Sequence, residues 1–228
     1  MRIRRNILSL VCLVALALLG ASCSEEDSTW DPYKNWKARN AEWYLQITDS
    51  ARTAIAQAKA QWGDDWENHC EWRRYKSLWQ DAAYDTGDYR DSVCVHIYKK
   101  GTRDVPSAIS PYSNDSVRVH FRGWIMPTQF AAGDGTFNEE QKIFTQTYFG
   151  NFDEATAAPS LMPMTGLTAG FGTALQYMVP GDDWFIYVPQ KLGYGEETKT
   201  GIPAYSTLLF RLNLVAVYRA GSGVPDWK

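Results

Sequence analysis

GFGTALQYMVPGDDWFIYVPQKLGYGEETKTGIPAYSTLLFRLNLVAVY, residues 170–218, is the stretch that decides the fold. Phe171, Ala174, Leu175 and Met178 recur at three- and four-residue spacing, which predicts one short amphipathic helix that Pro180-Gly181 stops. Trp184, Ile186 and Val188 then alternate as one face of a strand. A Gly193-Tyr194-Gly195 loop leads to a longer strand in which Leu208, Phe210, Leu212 and Leu214 point inward. A small helix against a twisted antiparallel sheet buries many aromatic rings and leaves no charged machinery between them.

Working upstream, Val117, Val119 and Phe121 share the inward face of another strand, and Val93, Val95 and Ile97 do the same earlier. Gly101 to Tyr112 reads as a loop. Trp72 to Leu78 reads as a further strand, with turns at Asp64-Asp65 and Asp85-Thr86-Gly87-Asp88. Asp31-Pro32 opens a long helix with a capping side chain and a first-turn proline. Along it Trp36, Asn40, Trp43, Ile47, Ala51, Ile55, Ala58 and Trp62 step at three and four until Gly63. Seven of the ten tryptophans fall in this first third: Trp30, Trp36, Trp43, Trp62, Trp66, Trp72 and Trp79. They read either as the buried stripe of the helix, through Trp36, Trp43 and Trp62, or as an aromatic platform.

The extreme N-terminus reads as a targeting segment. Arg2, Arg4 and Arg5 precede an apolar run from Ile7 to Leu19 that is too short to span a membrane as a permanent helix. Gly20-Ala21-Ser22-Cys23 then resembles a lipoprotein signal in which Cys23 becomes the acylated first residue, although a glycine stands three before it where leucine is usual. The alternative is ordinary secretory cleavage. The acidic run Ser24-Glu25-Glu26-Asp27 resembles the surface-export tag of Bacteroidetes-type outer-membrane lipoproteins, or serves as a solvated tether. The expected location is therefore the outer membrane, lipid-anchored, at the cell surface rather than the periplasmic face.

Removal of residues 1–22 takes three arginines from the 23 basic residues against 26 acidic ones, which disfavours nucleic acid as a partner. Cys70 and Cys94 then remain in a compartment where disulfides persist, either paired or free.

Two motif blocks resemble the FKBP-type peptidyl-prolyl isomerases. Val188-Pro189-Gln190-Lys191-Leu192-Gly193-Tyr194-Gly195, followed by Gly201-Ile202-Pro203 and Ser206-Thr207-Leu208-Leu209-Phe210, is similar to the family's C-terminal half. Val117-Arg118-Val119-His120-Phe121-Arg122-Gly123 is similar to its V-x-V-H-Y-x-G strand. The resemblance covers the last half of the chain. It implies an α+β fold in which a twisted antiparallel sheet wraps one short helix, here preceded by a long-helix segment.

The implied division is a signal peptide at 1–22, a tether at 23–30, a helical segment at 31–90, an isomerase domain at 91–220 and a tail at 221–228. The implied partners are proline-containing polypeptides, with the membrane met through the lipid alone. A second copy or a partner protein would dock on the N-terminal helix. No cofactor is implied. Pro127 to Gln141 is longer than the family's turn here and reads as a surface loop.

The chemistry needs no nucleophile. An X-Pro amide is held planar by resonance, with a barrier of about 18–20 kcal/mol. Twisting it removes charge separation that water stabilises, so a dry, ring-lined hollow favours the twisted form over the planar one. Carried over by motif, Tyr194, Phe144 and Phe210 take catalytic places, with Phe121, Thr145, Leu167, Thr168, Phe171 and Ile202 binding substrate. The Thr168 backbone N–H and the Tyr194 hydroxyl would each hold a carbonyl.

Three departures weaken the pocket. Phe121 stands for the family's tyrosine, Phe171 for its tryptophan and Thr145 for its aspartate, so weak activity is expected. Phe152-Asp153 is the alternative match that would restore the acid. A rival reading is a binding module with a degraded pocket, accessory to a surface glycan or protein complex. Other chemistry finds no support. His69, His96 and His120 are scattered, with His120 expected to face outward, and Glu139-Glu140, Asp182-Asp183 and Glu196-Glu197 read as turns.

Overall fold

A computed structural model describes residues 31–79, 81–128 and 141–227. The expected leader, Cys23, the tether and most of the 127–141 insertion lie outside them.

Helix α1 runs from Trp36 to Trp62 and ends at Gly63, whose positive φ (55°) breaks the turn. Its start differs from the sequence expectation. Asn35 adopts a left-handed conformation (φ 56°), so the first residues after Asp31-Pro32 form turns, and the regular helix begins four residues later. A 3-10 turn, Gly63–Asn68, follows it directly. The strands are β1 (Trp72–Lys76), β2 (Ser92–Lys99), β3 (Ser116–Ile125), β4 (Ile143–Gln146) and β5 (Ser160–Pro163); then helix α2 (Ala169–Tyr177), β6 (Asp183–Val188) and β7 (Leu208–Tyr218).

All pairings are antiparallel, in the order β1-β2-β6-β7-β3. The outer edge of β3 is shared, with β5 on its first half and β4 on its second. Residues from Tyr33 onward form one compact unit. Strand β1, from the segment before residue 90, is a member of the same sheet as the strands after it.

The sheet is covered on both faces. On one, Val95, Ile186 and Phe210 stand in a cross-strand row that ends at Gly123, and α2 lays Phe171, Ala174 and Leu175 into the same buried cluster. Gly170 allows this approach, because a Cβ there would lie 2.5 Å from Val188 Cγ1. On the other face α1 packs Trp43 edge-on to Tyr187, ring centroids 6.1 Å apart, and Tyr44 against Cys94. Cys94 and Cys70 are both buried and free, so the two thiols do not pair.

The tryptophan stripe is shorter than its periodicity suggests. Trp36 and Trp43 are buried, but Trp62 is 44% exposed and stacks on His69 at 3.7 Å.

His120 also departs from expectation. It lies on the face opposite Phe121 yet is only 1% exposed, because the Tyr148–Phe152 segment folds over it and the Phe152 ring sits 5.1 Å away. Arg122 holds that segment by donating to the carbonyls of Tyr148 and Gly150. Neither ring nitrogen of His120 has a partner. Burial pushes the imidazole pKa down, with Glu154 pulling the other way. The unfolded chain therefore takes up a proton first as pH falls through about 6.5, so this contribution is complete above that value and is lost below it. The urea midpoint should fall between pH 7.5 and 5.5, and His120→Leu should flatten that slope. An equal slope in both proteins would contradict the assignment.

Candidate functional site: a ring-lined cavity

The cavity is built over the glycine of the V-R-V-H-F-R-G strand. Register between β3 and β4 shifts at Gly123/Trp124, so that Gly123 pairs with Thr145 while Trp124 pairs with Ile143. This bulge brings both Phe144 and Thr145 over Gly123. A Cβ on Gly123 would lie 2.8 Å from Phe144 Cζ, Phe210 Cε1 and Thr145 Cγ2 alike. Gly123 is thus the floor on which two aromatic walls meet. Gly123→Ala should cost about 1–3 kcal/mol by overpacking, read as a lower urea midpoint, and an unchanged midpoint would show that the rings do not close over this position.

From there four rings connect edge-to-face. Phe144 meets Phe210 at 5.5 Å and 82°, Phe210 meets Phe171 at 4.9 Å and 72°, and Phe171 meets Phe121 at 6.0 Å and 75°. Such T-shaped pairs each add about 0.5–1.5 kcal/mol beyond burial, and they fix ring planes as well as positions. The rings come from β4, β7, α2 and β3, so the wall exists only in the folded sheet.

Three further elements complete the hollow. Thr168 caps α2 in extended conformation, and its backbone N–H makes no hydrogen bond among the described residues. Tyr194 follows the 3-10 turn Gln190–Leu192, whose Pro189 and Gln190 carbonyls accept from Gly193 N–H. Its hydroxyl has no hydrogen-bond partner among the described residues, and its ring packs against the core cluster. The segment 195–207 forms a flap. At its tip Lys199 and Ile202 exchange two backbone hydrogen bonds of 2.9 Å, with Gly201 at φ 77° between them.

The resulting cavity has a volume of about 580 Å³. Phe121, Phe144, Thr145, Leu167, Thr168, Phe171, Tyr194, Ile202 and Phe210 all line it, so the nine positions carried over by motif lie together in the fold. Phe152, the alternative to Phe144, lies on the other face of the sheet against His120 and Tyr148, and Asp153 there caps Ala155 N–H. No carboxylate lines the cavity.

Met162, Gly166, Lys199 and Thr200 line it too, and sequence reasoning did not name them. Lys199 and Thr200 directly precede the Gly-Ile-Pro run and could have been found from it. Met162 sits on four-residue β5, whose pattern is too short to read. A larger hollow of about 710 Å³ lies beside the end of α1, where Trp62, Trp72 and His96 face Gln57 and Gln61. It contains none of the carried-over residues.

Residues 108–215 match the family model of the FKBP-type peptidyl-prolyl cis-trans isomerases. This segment belongs to the FKBP-type family. The peptidyl-prolyl cis-trans isomerase Mip of Coxiella burnetii is 32% identical over 109 residues, 47% of this chain and 39% of that protein. The FKBP-type 22 kDa peptidyl-prolyl cis-trans isomerase of Escherichia coli is 32% identical over 110 residues, 47% of this chain and 43% of that protein. The alignment spans less than half the length of either relative. Among solved structures, FkpA from Escherichia coli is similar with a TM-score of 0.45 at 18% identity, covering 93% of this chain and 82% of that one.

Proposed function

We propose that this FKBP-type domain isomerises X-Pro bonds in exported polypeptides, and that the ring-lined cavity is its active site. The observation that carries the reading is the union of four edge-to-face phenylalanines with an unpartnered Tyr194 hydroxyl around a hollow without carboxylates. A prolyl ring entering between Phe210, Phe171 and Phe144 leaves water behind. In that medium the planar, charge-separated amide loses solvation that the twisted amide needs less, so the barrier falls without a covalent step. The Tyr194 O–H and the Thr168 N–H are free to donate to carbonyls flanking the proline. Each held carbonyl fixes one side of the rotating bond.

Thr145 in place of an acidic residue removes one polar anchor, and the rate is expected to be modest for that reason. The same departure supports a second reading, a binding module that holds prolyl segments without turning them over. A protease-coupled proline-peptide assay separates them. Turnover above background that falls in Tyr194→Ala supports the enzyme; no turnover with retained peptide binding supports the module.

Attachment completes the reading. Processing before Cys23 and acylation of its thiol would tether the domain at the outer membrane, through an acidic linker ending near residue 30. One aligned relative, from Legionella longbeachae, is named outer membrane protein MIP. Mass spectrometry of the membrane fraction should find diacylglycerol on Cys23, and a soluble mature chain would oppose the tether.

A further inference from the structure

Helix α1 is joined to the cavity's flap by contacts that cross more than 160 residues of sequence. The Trp36 indole N–H donates to Ser206 Oγ at 3.0 Å, and Ser206 Oγ–H donates in turn to the Pro203 carbonyl at 2.7 Å. Pro203 follows Ile202, which lines the cavity. One residue further on, Asn40 Oδ1 accepts from Thr207 N–H at 2.7 Å while its Nδ2 donates to the Trp36 carbonyl at 2.8 Å. The Asn40 carbonyl also accepts from Thr207 Oγ1 at 3.3 Å. Lys37 sits 4.0 Å over the Tyr205 ring, and Tyr205 holds a left-handed backbone (φ 63°) while its N–H donates to Gly195.

Asn40 is fully buried, and Trp36 and Ser206 nearly so. A buried carboxamide with both ends used, facing a strand's first residues, is costly unless the geometry is held, and it holds both partners in return. The three contacts meet the flap at 205–207, its return end, where β7 begins. A flap anchored there moves as a hinged arm with one end fixed, so its tip keeps Ile202 against the rings.

We infer that Trp36 and Asn40 are positioning residues, through which α1 sets the flap over the cavity. The inference rests on the isomerase reading for its kinetic consequence but not for its structural one. Trp36→Phe removes the indole N–H and keeps an aromatic ring. Ile47→Val trims the same helix's buried face without touching the flap and serves as the control for general destabilisation.

Two readouts are made on the purified chain. In Trp36→Phe, exchange of the Ile202, Lys199 and Tyr205 amides should rise about threefold to tenfold, the scale of one lost hydrogen bond, and Ile47→Val should leave it unchanged. KM for a prolyl peptide should rise by a similar factor with kcat within about twofold, because binding geometry and not the reacting bond is disturbed. Unchanged flap exchange in Trp36→Phe, or an equal rise in Ile47→Val, overturns the inference. Absence of turnover in the wild-type chain would overturn the isomerase reading, and the exchange result alone would then decide the coupling.

Discussion

Phe210→Leu should lower kcat/KM toward prolyl peptides by about tenfold to a hundredfold while the chain stays folded. Phe210 is the one ring in contact with two others, 4.9 Å from Phe171 and 5.5 Å from Phe144. Leucine fills most of its volume, so stability should change by less than about 1.5 kcal/mol. What leucine cannot supply is a flat face. Losing two edge-to-face contacts, each about 0.5–1.5 kcal/mol, frees Phe144 and Phe171 to tilt into the space the prolyl ring needs. If those contacts act mainly on the twisted amide, the loss appears in rate at about 1.4 kcal/mol per factor of ten. A variant as active as the wild type would show that the ring stack is core and nothing more.

The second large effect is on stability and lies far from the cavity. Asp182→Ala should cost about 3–5 kcal/mol in urea unfolding, the scale for breaking a buried ionic pair. The Asp182 carboxylate is wholly buried and accepts from Gly101 N–H at 2.7 Å and Val179 N–H at 2.8 Å. The Arg103 guanidinium also donates to both its oxygens, at 3.1 and 2.9 Å. Its backbone is committed as well, since Leu214 N–H donates to the Asp182 carbonyl at 3.0 Å. Alanine leaves two buried N–H groups without acceptors at the corner joining α2 to β6. Asp182→Asn, which keeps one acceptor, should lie between. A loss below about 1 kcal/mol for the alanine variant would contradict this account.

That Asp182 matters structurally could not be read from the chain. An Asp-Asp pair after Pro-Gly signals a turn, but the donors that use its carboxylate lie 81 and 3 residues away. The cavity was more legible, because its residues are carried on short motifs with fixed local geometry. Gly193-Tyr194-Gly195 and the Gly-Ile-Pro run each place one side chain by backbone shape, and the sheet then brings them together. The four-residue strand holding Phe144 could be aligned, whereas the bulge that turns both Phe144 and Thr145 over Gly123 needs the partner strand to exist.

Periodicity likewise identified α1 but not its seat. A three-four stripe says that a face is buried and is silent about what buries it. Here the covering surface is the sheet face opposite α2, and the stripe runs out before Trp62 because the helix end reaches beyond that sheet. His120 misled for a related reason. Alternation gave the correct face of β3, but a loop that sequence could not fold over that face makes it an interior position.

The central claim is that the hollow beneath Ile202 speeds rotation about a prolyl amide. Two-dimensional exchange NMR on an X-Pro peptide tests it without a coupling protease, because the uncatalysed bond turns over only in roughly tens to hundreds of seconds. Substoichiometric wild-type chain should produce cross-peaks between the cis and trans resonances, and Phe210→Leu should weaken them severely. A peptide that binds the wild-type chain yet shows no exchange between its two isomers would contradict the claim.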